Sequence, residues 1–184
     1  MFILGLIVFF ATHLATAFAR GAREGLVKRL GAGPYKGLYS LVSAIGLGLI
    51  VYGWGGADAS VLYAPPAWLR HVTHLLTLIA LVLLAAAYLP KGKIAAAVKH
   101  PMLASVKIWA FAHLLANGET RSVILFGAFL VYAVLDRIAV NLRGAPAPAA
   151  GPARNDLYAV LVGAGAWAAI YFVLHPYIAG VSLR

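Results

Sequence analysis

Cysteine is absent from this chain, and acidic residues nearly so, with five Asp and Glu among 184 residues. Without thiols there is no disulfide, no thiolate metal ligand, no thiol nucleophile and no thioether attachment of a haem. With so few carboxylates, the apolar stretches hold no acidic proton-relay chain and no carboxylate pair. A phosphate-binding glycine loop and a Ser/His/Asp set are missing too, which argues against hydrolysis and ATP-driven transport. Charge of either sign is scarce: charged residues make up 11% of the chain, against about 25% in a soluble domain. A surface so poor in charge does not stay solvated. A soluble α/β enzyme, a disordered regulator and a free nucleic-acid-binding domain are thereby excluded.

What is present is apolar. Hydrophobic residues account for 63% of the chain, and the mean hydropathy is +0.90, so the lipid bilayer is its main solvent. The formal charge of +10 reads as loop Lys and Arg that set topology and touch anionic lipid, with no nucleic acid implied. The opening MFILGLIVFFATHLATAFAR lacks a basic stretch before its apolar run, which predicts a retained first span rather than a signal peptide.

The expected fold is all-α, a single transmembrane domain of about six helices. Hydropathy and punctuation place them roughly over 2–19, 38–56, 71–89, 101–116, 122–140 and 157–178. The fourth is short, and the apolar residues 94–98 are a candidate extension of it across Pro101. Residues 21–37 read as a short amphipathic interfacial helix ending at Gly31, and 144–154 as a flexible Ala/Pro/Gly connector.

Six spans put the first, third and fifth loops on one side. Those loops hold Arg20, Arg23, Lys28, Arg29, Lys36, Lys91, Lys93, Lys99, Arg137, Arg143 and Arg154, against Arg70, Arg121 and Arg184 opposite. The imbalance predicts both termini away from the cytoplasm, on the periplasmic side.

Ionisable groups inside a bilayer are costly, so each needs a reason. His13, His71, His74, His100, His113 and His175 all fall within or at the ends of the expected spans. Neutral imidazole is a common metal ligand and binds haem iron; a lone intramembrane histidine also serves simply as a hydrogen-bonded packing residue. Helical spacing puts His13 on one face with Thr16 and Arg20, where Arg20 would suit a propionate or act as a topology anchor. His71 and His74 form an H-x-x-H pair with no third ligand nearby. His100 and His113, thirteen apart, lie on nearly opposite sides of any continuous helix. Lys107 sits about 9 Å inside the fourth span, placed either to snorkel or to face an anionic group. Asp136, beside Arg137, is expected to pair locally.

The stretch KHPMLASVKIWAFAHLLANGETRSVILFGAFLVYAVLDRIAV over 99–140 resembles the NnrU family of bacterial membrane proteins. Three further pieces carry the resemblance: ATHL around His13, KRLGAGPYKGLYSLVSAIGLGLIVYGWG over 28–55, and the terminal LHPYIAGVSL. The family's name associates it with nitrite and nitric oxide metabolism in denitrifiers. It is also related to the 15-cis-ζ-carotene isomerases, membrane proteins that use haem b. The resemblance implies haem iron held by His13 and His113, with His100 of the HP pair nearby. Where the plant isomerase has a cysteine close to the second histidine, this chain has Ala110 and no cysteine at all, so a His-to-Cys ligand exchange is impossible.

Depth along the helices points elsewhere. His13 and His113 differ by about 12 Å in depth, whereas His74 and His113 lie toward the same end. Two functional readings follow, a haem b accessory protein with a respiratory redox partner and a haem-dependent cis–trans isomerase of an apolar polyene. A structural membrane protein without a cofactor is the third.

Overall fold

The computed structural model describes residues 1–183, and among these every regular element is helical. The helices are α1 (Phe2–Phe18), α2 (Arg20–Leu30), α3 (Ala32–Trp54), α4 (Leu69–Tyr88), α5 (Lys93–Val98), α6 (Pro101–Ala116), α7 (Thr120–Leu142), α8 (Ala153–Ala169) and α9 (His175–Ala179). A π turn, Ile170–Leu174, joins the last two. Helices dominate because a backbone in lipid must satisfy its own hydrogen bonds.

An apolar helix stands at each of the six expected places. Four are long and apolar enough to cross a membrane, namely α3, α4, α7 and the continuous run Ala153–Ala179. The pair α1 and α2 makes a fifth candidate, bent by 95°. The 17 residues of α1 and the 16 of α6 reach only about 25 Å at 1.5 Å per residue, short of a hydrocarbon core of about 30 Å. Their ends have local causes. Ala19 leaves helical geometry at φ −95°, ψ 53°. Residues 94–98 do not extend α6, because Lys99 turns to φ 66° and Pro101 opens a new helix after His100.

Two compact units make up the chain, Met1–Ala64 with Gly118–Gly144, and Pro65–Asn117 with the chain from Ala145 on. In the first, α1 packs along α3 and against α7. Its core gathers Phe2, Leu6, Phe10 and Ile50, with Phe129 and Tyr132 packed against them. The two helices approach backbone to backbone, as small residues allow in membranes. A Cβ on Gly5 would stand 2.6 Å from Ile50 N, and one on Gly46 2.8 Å from Phe9 N. The loop after α3 caps α7, with Thr120 N donating to Ser60 O and Arg121 N to Asp58 O, both at 2.9 Å. Asp136 pairs with Arg143 at 3.8 Å rather than with its neighbour Arg137, and Arg143 also donates to Ala17 O at 2.9 Å.

In the second unit α4 packs against both α6 and α8. Gly163 admits the α4 backbone, since a Cβ there would lie 2.5 Å from Val82 Cα. The Asp156 carboxylate accepts from Lys93 N and Ile94 N at 2.9 Å each, which fixes the start of α5.

In both units large apolar side chains point outward, Val51 being 68% exposed and Leu161 61%. Lipid, not water, suits such a surface.

Candidate functional site

In the first unit His13 sits two-thirds of the way along α1, half-buried. Its ring stacks on Phe9 at 4.1 Å between centroids, with Tyr39 at 5.3 Å and Tyr132 edge-on at 5.6 Å. The Nδ1 of His13 donates to the Phe9 carbonyl at 2.7 Å. A carbonyl only accepts, so Nδ1 carries the hydrogen, and in a neutral ring the lone pair is then the one on Nε2. Arg20 does not share this face. The chain bends at Ala19, so Arg20 opens α2 on a different axis and is exposed. An offset of seven has meaning only along one continuous helix.

In the second unit His113 repeats the arrangement. Its Nδ1 donates to Trp109 O at 2.7 Å, and its ring lies 4.9 Å from the Trp109 ring. Thr73 fastens α4 to α6 at this level by donating to Ala112 O at 3.0 Å. That bond joins the residue before His74 to the residue before His113. His74 stands edge-on to Tyr171 at 4.9 Å, and Tyr171 stacks on Trp167, also at 4.9 Å. Trp167 Nε1 donates to Thr77 Oγ1 at 3.2 Å. Tyr171 belongs to the π turn, a distortion often found at functional sites. His175 lies within electrostatic reach of both His74 and His113, and its own Nδ1 donates to Val181 O at 2.7 Å.

The remaining candidates are more dispersed. His71 is exposed, with its ring 6.5 Å from that of His74. His100 stands just ahead of α6 as its N-cap residue, off the helix that carries His113. Lys107 is half-buried on α6. His13 and His113, paired by the resemblance, fall in different units, whereas His74 and His113 share one. No three His, Asp or Glu side chains gather as a metal site among the described residues. Any metal chemistry therefore rests on one or two imidazoles.

Trp109, Trp167 and Tyr171, gathered about His74 and His113, are not among the candidates singled out from the sequence. A signal was present for one of them, since Trp109 stands four positions before His113 as Phe9 does before His13. The turn of helix that brings i and i+4 together also places the i−4 carbonyl against Nδ1.

The family profile described as NnrU protein matches residues 1–183, from α1 through α9. The chain belongs to the NnrU family. Comparison with curated proteins and with solved structures gave no match. For an NnrU protein the haem implied by the resemblance can be tested against the donor set. Haem iron takes a neutral imidazole nitrogen whose other nitrogen is usually held by a carbonyl or carboxylate. His13 and His113 satisfy that requirement, each oriented by a carbonyl of its own helix. In ring orientation these two histidines fit the group.

Proposed function

We propose that this NnrU protein binds haem b through histidines of its membrane helices and serves nitrogen-oxide respiration in the bacterial inner membrane. The supporting observation is the shared orientation of His13 and His113, each with Nδ1 held at 2.7 Å by a backbone carbonyl of its own helix. His113 is the first ligand. His13, matched by motif, and His74, its neighbour within the second unit, compete as the other. When bound, the group would supply one-electron and nitrogen-oxide chemistry at iron. The chain's part is to orient the imidazoles, raise their basicity through the carbonyl bonds and exclude water with aromatic rings. Lys107, on the helix of His113, is the cation available to a propionate.

The accessory reading is preferred over the polyene isomerase because the neighbourhood in which the resemblance puts a cysteine holds Ala110, fully buried on α6, and no cysteine. With no cysteine in the chain, the haem is held without covalent attachment. Pyridine haemochrome analysis of protein made in haem-replete cells tests the proposal. A b-type spectrum extractable by organic solvent supports it; colourless, monodisperse protein refutes it.

A further inference from the structure

The bend between α1 and α2 borders an open hollow of about 240 Å³ within the first unit. Its walls come from the last turns of α1, the inner side of α2 and the start of α3, with Ala15, Ala19, Leu38 and Val42 among them. Thr12 and Thr16 also line it, but their hydroxyls donate to Val8 O and His13 O at 2.7 Å. Those donors are spent, and the interior is left apolar. One cation stands at this cavity. Arg23, the half-buried basic residue of α2, lines it and holds its guanidinium 5.6 Å from the centre of the Tyr35 ring. The surrounding segment 20–36 carries five basic residues and one acidic. No residue of α2 is buried, and Leu26 and Leu30 lie exposed on it at 45% and 46%.

A helix of this composition, turned 95° from an apolar neighbour, suits the plane of the membrane interface. An apolar hollow beside a single cation then calls for an occupant with a hydrocarbon chain and a negative head. We infer that the elbow is a binding site for an anionic glycerophospholipid, with an acyl chain in the hollow and the phosphate at Arg23. The basic segment concentrates such lipids at the surface, and the hollow with Arg23 selects and holds one. This inference stands independently of haem, since it uses neither His13 nor His113 and applies equally to colourless protein.

The test uses the full-length protein reconstituted in vesicles of phosphatidylcholine and phosphatidylglycerol, with retained lipid counted by native mass spectrometry after mild extraction. Phosphatidylglycerol should be retained over phosphatidylcholine. Arg23→Gln should lower that retention about fivefold, the effect of one interfacial charge. Arg23→Lys should restore most of it, and Arg29→Gln, an exposed change of equal charge on the same helix, should have a small effect. Equal retention of the two lipids would overturn the inference. So would equal losses in Arg23→Gln and Arg29→Gln, which would mean diffuse surface attraction. Thermal stabilisation by inorganic phosphate matching that by phosphatidylglycerol would also overturn it, because the acyl chain would then be superfluous.

Discussion

Replacing Gly46 by alanine is the most direct probe of how the first unit is held together. The added Cβ would stand 2.8 Å from Phe9 N, 3.0 Å from its Cα and 3.1 Å from its Cβ. These are atoms of the α1 backbone and its first side-chain carbon, so no rotamer change relieves them and the helices must separate. Forced overpacking of this kind costs about 1–3 kcal/mol. Alanine returns up to about 1 kcal/mol of helix propensity, so a net loss of about 1–2 kcal/mol is expected. Gly48, two residues on, has nothing within 4 Å of its Cβ position. Gly48→Ala should collect the propensity gain alone. Unfolding of the detergent-solubilised protein, followed by tryptophan fluorescence, compares the two variants with the parent. The same substitution on the same helix should then move stability in opposite directions. Indistinguishable midpoints for the two variants would refute the close approach of α1 and α3.

The haem ligands separate by substitution: His113→Ala should remove the Soret band from protein that stays monodisperse, and a neutral spectrum would mean the site is misplaced. His13→Ala should do the same if the motif guides correctly, and His74→Ala if the shared unit does, so the pair decides between the two second ligands. Asp58, in the loop after α3, accepts from Ser60 N and Ser60 Oγ at 2.9 Å each, and these bonds hold its carboxyl below the ordinary 3.8. Because the folded value is the lower one, its contribution is full above pH 3.8 and fades as pH falls through the folded value. Asp58→Asn should flatten the acid limb of a stability–pH curve, and an unchanged limb would count against the Asp58–Ser60 bonds. Reporter fusions at both termini should give the periplasmic phenotype expected from the distribution of Lys and Arg; a cytoplasmic signal from either would reverse or break the six-span orientation.

The sequence names candidates one residue at a time. The histidines stood out because ionisable groups are rare in apolar helices, whereas the aromatic residue four before His13 and His113 went unused although its spacing marks a helical contact. The face drawn through His13 and Arg20 failed because it assumes one unbroken helix, and no proline or glycine marks the break at Ala19; Gly21 comes two residues later. The Thr73–Ala112 bond and the placing of Tyr171 beside His74 were invisible beforehand, since each joins residues far apart in sequence.

The sequence by itself determined that the protein lives in lipid, where its apolar helices lie, and that α2 ends at Gly31, whose φ of 88° suits a residue without Cβ. These are local outcomes: a backbone in hydrocarbon must bond within its own segment, so composition and punctuation suffice. Only the tertiary structure decided that α1 lies against α3, that α4 collects α6 and α8, and which histidines share a unit. Lipid tails are as apolar as leucine, so hydropathy carries no preference for one helix over another. Partner choice falls instead to close fits at Gly5, Gly46 and Gly163 and to single bonds such as Thr73 to Ala112, and these have no meaning until the two helices meet.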